Sequence, residues 1–153
     1  MSTMEANLVA LRAEALVVVH LTRRSDVDVD KLHDDAFDLL ATIRKRSKNQ
    51  DKRFGVQVRG VLPNYVHGMF VRNATNGDSK KYCRVSPLLT LPICEMVVDV
   101  VTNEINWRWL LEPIVDKMSG NLRINQSSAL VSLTDEAVDE IVDTVNRWYA
   151  ADR

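Results

Sequence analysis

The sequence predicts an α+β fold: two N-terminal helices, a three-stranded antiparallel β-meander over about 53–85, and C-terminal helices packed on one face of the sheet. Three observations lead there. Apolar residues recur at helical spacing near both ends, the stretch "FGVQVRGV" alternates, and Asn76-Gly77 supplies the positive φ angles of a tight hairpin turn. At 153 residues the chain suits one domain with a real core and no staples.

The first helix is expected at about 3–22. Ser2 can cap it and Glu5 can reach back, a capping-box pattern. Met4, Leu8, Leu11, Leu16 and Val19 fall near one stripe, widened by Val9, Val17 and Val18. The run "LVVVHL" is β-branched, so a strand over 15–21 is the alternative. A second helix follows, capped by Asp28 or Asp30. Leu32, Ala36, Leu39, Leu40 and Ile43 form its stripe, and Arg44, Lys45, Arg46 and Lys48 close it, acids first and bases last.

The meander comes next, with Phe54, Val56 and Val58 on one face and Pro63-Asn64 at its first turn. Thr90 then caps a helix that tolerates Pro92 in its first turn. Ile93, Met96, Val97, Val100 and Val101 form one stripe, continued by Trp107, Leu110, Leu111, Ile114 and Met118. A break is expected near 102–104, with Asn103 as a cap, and a kink near Pro113. Glu104 and Arg108 can pair at i, i+4. Gly120 stops the helix, and 121–133 are irregular or a short strand. In the last helix Leu133 and Val138 form a staple around Thr134. Its stripe is Val138, Ile141, Val142, Val145, Trp148 and Tyr149, with five acidic residues on the other side.

Composition is that of a soluble globular protein, 46% apolar and 27% charged. Two cysteines without a CxxC favour a reduced, cytoplasmic setting. "ALVVVHL" has the wrong flanking charges for a signal peptide and is too short to span a membrane, so no membrane partner is expected. The triplets at Asn73 and Asn125 read as chance.

Charge is segregated. Residues 1–43 carry net −4, residues 44–84 net +9, and residues 85–153 net −6. Such an island attracts phosphate, or acidic helices fold over it. The nucleic-acid reading uses Arg44, Lys45, Arg46, Lys48, Lys52, Arg53, Arg72, Lys80, Lys81 and Arg84, beside meander aromatics that could stack bases.

His33-Asp34, with His20 and His67, resembles the HD pair of metal phosphohydrolases. Asp34 already has a role among helix-opening acids, and His20 lies in an apolar run. No metal site and no cofactor are assigned. Cys83 sits in basic "KKYCRV", which would lower its pKa, yet no Cys–His signature accompanies it. P-loop, GxGxxG and GxSxG motifs are missing, and no catalytic residue is assigned.

The first-ranked function is a small non-catalytic, self-associating protein-interaction protein with a regulatory, inhibitory or assembly role, of the kind a virus or mobile element encodes. Its expected contact surface is the far side of the helical stretch over 93–118: Val98, Ile105 and Trp109. A nucleic-acid-binding regulator ranks second and a metal-dependent phosphohydrolase-like enzyme third.

Overall fold

The computed structural model describes residues 2–32, 37–44, 52–62, 64–66, 69–71, 91–115, 121–125 and 129–151. One mixed sheet forms its centre. The chain opens with α1 (Thr3–Thr22), then β1 (Val27–Lys31), β2 (Leu39–Ile43) and β3 (Lys52–Val61). Next come β4 (Asn64–Val66), β5 (Met69–Val71), β6 (Ile93–Asp99), β7 (Ile105–Pro113), β8 (Leu122–Ile124), β9 (Val131–Ser132) and α2 (Asp135–Ala150). The sheet order is β1-β2-β3-β6-β7-β8, with β9 also on β7, while β4 and β5 pair apart from it. All pairings are antiparallel except β3 with β6.

α1 begins and ends where its sequence signals place it. Ser2 accepts from the Glu5 amide, and the Glu5 carboxylate accepts from the Ser2 amide at 2.7 Å, completing the capping box. Thr134 caps α2, its hydroxyl accepting from the Ala137 amide at 3.1 Å.

The expected second helix is replaced by the β1–β2 hairpin. "VDVDK" and "LLATI" each alternate, and β2 buries Leu39, Ala41 and Ile43 on one face. The same leucines also fit an i, i+4 pattern, and sheet pairing decides between the two. The expected three-stranded meander over 53–85 is also corrected. β3 is its first strand, but β3 lies between β2 and β6 in the main sheet, and β4–β5 form a separate pair. Asn76-Gly77 lies outside the described residues.

The largest correction concerns 93–113, read as helix and found as the β6–β7 hairpin. All seven residues of β6 are buried, since helices cover one face of this central strand and Phe37, Leu110 and their neighbours pack near its start on the other. A strand covered on both faces loses period-two alternation and reads like a buried helix. The expected break near 103 is the hairpin turn. Asn103 takes a positive φ of 62°, which asparagine tolerates, and the Asp99 carboxylate accepts from the Val101 and Thr102 amides. Pro113 ends β7 instead of kinking a helix. Residues 121–133 contribute β8 and β9.

Of the C-terminal helices expected, α2 alone is seen among the described residues. It shares one sheet face with α1. Ala13, Val17 and Leu21 from α1, and Val138, Ile141, Val142 and Val145 from α2, meet Phe54, Val56, Met96 and Trp107 of the sheet. Gly60 permits the crossing of α1 over β3: a Cβ there would lie 2.7 Å from Val9 Cγ1 and 2.9 Å from the Val9 carbonyl oxygen. α2 is tied down by the Trp148 indole, which donates to the Asn121 carbonyl at 3.1 Å, and by the Tyr149 hydroxyl, which donates to the Arg53 carbonyl at 2.8 Å.

Candidate interaction surface

The two tryptophans of "NWRW" decide where the expected contact patch lies. On β7 they share a face, as alternate strand residues must, and their rings meet edge-to-face with centroids 5.5 Å apart. Trp107 is core, as the sequence suggests. Trp109, Val98 and Ile105 are core as well, beneath the two helices. The apolar patch expected around these three residues is therefore not a surface of the folded chain.

Among the described residues, Leu62, Val101, Ile124 and Val131 are exposed elsewhere, and four exposed large apolar side chains are grouped on α1. Met4, Leu8, Leu11 and Val19 are 72%, 59%, 53% and 54% exposed, and Ala15 is exposed between them. At 100° per residue these five occupy roughly a 100° arc. That arc is opposite the Ala13, Val17 and Leu21 side that meets the sheet, and no charged residue falls inside it. The sequence reading places Met4, Leu8, Leu11 and Val19 in the stripe but does not tell which way it faces. Helical periodicity shows that a helix has an apolar face; α1 has two, and the sheet covers one.

The N-terminal part of α1 extends beyond the sheet. Residues 2–8 are all exposed, and the first half-buried one is Val9. The capping box sits on this exposed stretch. Arg12 anchors the next turn by donating to Asn103 Oδ1 at 3.0 Å. Lower down, Glu14 pairs with Lys31 at 2.8 Å, and Arg23 and Arg24 reach Asp135 and Asp139 of α2.

Of the basic island, Arg44, Lys52, Arg53 and Arg59 are described. Arg44 pairs with Asp28 on the neighbouring strand. Lys52 is buried and donates to the Asn146 carbonyl at 3.3 Å, in the last turn of α2 where a cation suits the helix dipole. Arg53 is exposed, and its carbonyl holds Tyr149. Arg44 and Lys52 thus serve the fold. Lys45, Arg46, Lys48, Arg72, Lys80, Lys81 and Arg84 lie outside the described residues, as do His33, Asp34, His67 and Cys83.

The expected Glu104–Arg108 pair is replaced by a cross-strand one. Arg108 Nε donates to Glu95 Oε2 at 2.7 Å, and Arg59 lies 3.2 Å from Glu95 Oε1. Glu95 is buried between the two guanidiniums, on the face away from the helices. A buried carboxylate needs such partners, so this triad holds β3, β6 and β7 in register.

Chemistry elsewhere is sparse. Among the described residues no three His, Cys, Asp or Glu side chains converge as a metal site. Cys94 is fully buried, and burial pushes its thiol far above the ordinary range, the opposite of an activated nucleophile. Burial, aided by Arg23, lowers the His20 imidazole below its usual value while Asp135 acts the other way. No described helix is long and apolar enough to cross a membrane.

The fold and this surface define an α+β chain with two helices on one face of a mixed sheet, one of them apolar on its outer side. Comparison with protein-family models, curated proteins and solved structures finds no match.

Proposed function

We propose that the chain is a non-catalytic protein-interaction protein, and that the outward stripe of α1 is where it makes contact. The observation that supports this reading is the exposure of Met4, Leu8, Leu11 and Val19 on a helix whose other side is fully used by the core. Large apolar side chains grouped this way on a surface mark contact sites. The flanks carry one Glu and one Arg at positions 5 and 12, unlike the Lys- and Arg-rich flanks of helices that lie on lipid.

The test is site-specific photo-crosslinking in cells that produce the protein. A photoreactive residue at Leu11 should yield covalent protein adducts, and one at Glu136, on the acidic outer side of α2, should yield none. No adduct at Leu11, or equal adducts at both positions, contradicts the reading.

A further inference from the structure

We infer that the occupant of the α1 stripe is a second copy of the same helix, running antiparallel to the first. This inference rests on the contact role proposed above and adds a partner and a register to it.

The spacing comes first. Met4, Leu8, Leu11 and Ala15 follow one another at intervals of four, three and four residues. That is the a/d pattern of a two-helix seam, with Met4 and Leu11 at d and Leu8 and Ala15 at a. The seam faces away from the sheet, so two bodies carried on opposite sides of a helix pair do not collide. The overhang of residues 2–8 also leaves the N-terminal part of the seam clear of its own body.

The charges then choose the register. In an antiparallel pair, a residues of one helix lie level with d residues of the other. One register puts Leu8 against the second copy's Leu11 and Met4 against its Ala15. Glu5 and Arg12 flank the seam on the same side, and in this register each Glu5 falls beside the other copy's Arg12. Two-fold symmetry makes the contact twice. The next register, one heptad along, puts Ala15 against Leu11 but sets Arg12 beside Arg12. Like charges oppose it. The same two residues therefore favour one pairing and disfavour its nearest competitor.

In this register the shared seam runs from Met4 to Ala15, about 17 Å at 1.5 Å per residue, and Val19 lies past its end. Two helices facing over that length bury less than about 1,000 Å² in total, the range of weak, transient contacts. The pair should be reversible and concentration-dependent.

Light scattering on the full chain across a concentration series tests this. The wild-type mass should rise toward twice that of the chain as concentration increases. Leu8→Gln/Leu11→Gln should stay monomeric with an unchanged melting temperature when both are measured dilute. Arg12→Glu should associate about tenfold more weakly than Arg12→Gln, since both lose the guanidinium bond to Asn103 but only the first sets a like charge beside Glu5 of the second copy. A wild type monomeric throughout overturns the inference, as does a dimer indifferent to Leu8 and Leu11 or an Arg12→Glu variant that associates as well as Arg12→Gln. The crosslinking experiment separates this failure from that of the contact reading. A Leu11 adduct of twice the chain's mass supports the second copy. Adducts of other masses only would overturn the self-pairing and leave α1 as a contact surface.

Discussion

α1 and α2 lie on the same face of the same sheet, yet they use their surfaces differently. α2 is a one-sided helix: Val138, Ile141, Val142, Val145 and Trp148 are buried, and its outer side carries Asp135, Glu136, Asp139, Glu140 and Asp143. α1 commits Ala13, Val17 and Leu21 to the core and still presents Met4, Leu8, Leu11 and Val19 to water. The acidic side of α2 tells the chain which way to turn that helix. α1 has no such marker on its outer arc, and its orientation is set by fit: small Ala13 and Gly60 let it approach β3 closely. The lesson is that α2 is specified by polarity, whereas α1 is specified by shape and keeps an apolar side in reserve.

The comparison can be broken at several points. The largest effect is expected where α2 enters the core. Trp148→Ala removes a fully buried indole and its bond to Asn121, and should cost about 3–5 kcal/mol in urea unfolding. If the loss is below about 1 kcal/mol, α2 is not held as described. Next is the seat of α1. Gly60→Ala drives a Cβ against the Val9 backbone and should cost about 1–3 kcal/mol, because a carbonyl cannot rotate away as a side-chain end can. A neutral substitution would mean that shape does not set the position of α1.

The two caps give a smaller, sharper contrast. Thr134→Ala should lower global stability by about 1 kcal/mol, since α2 folds with the core from its first turn. Ser2→Ala removes an equivalent cap from a stretch whose residues 2–8 are all exposed. It should speed amide exchange at residues 3–8 and leave the urea midpoint nearly unchanged. Equal global losses would show that the overhang is part of the cooperative unit.

His20 supplies a pH signature at the junction of the helices. Its folded pKa is lowered from 6.5, so the unfolded chain takes up a proton that the folded chain resists. The stabilising contribution is full above about pH 6.5 and is lost as pH falls through that value toward the lower folded pKa. His20→Gln should flatten stability between pH 7 and 5, measured by urea midpoints; an unchanged slope would remove the assigned desolvation.

How much of this was legible in the sequence varies with local packing. The bounds of α1, Thr134 as a cap and the stripe of α2 could be read because caps are local and α2 is one-sided. β1 and β2 were obscured because Leu39, Leu40 and Ile43 satisfy a helical spacing by coincidence. β6 was obscured because a strand covered on both faces shows no alternation. In β7 the signal was present: Ile105, Trp107 and Trp109 alternate with Asn106 and Arg108. Leu110 and Leu111 interrupt it, near the register shift at Ile93–Cys94. The burial of Val98, Ile105 and Trp109 was hidden for a related reason. Assigning 93–118 to a helix put Trp109, Val98 and Ile105 on a far side that does not exist. Assigning all the apolar residues of α1 to one stripe hid the second face.

The most direct test of two faces on α1 is a pair of urea titrations at a concentration too low for association. Leu8→Gln/Leu11→Gln on the outer side should leave stability within about 0.5 kcal/mol of wild type, as surface substitutions do. Val17→Gln/Leu21→Gln on the inner side buries unpaired amides and should lower it by several kcal/mol or prevent folding. Equal losses from both pairs would show that the outer stripe is core, and would contradict the account.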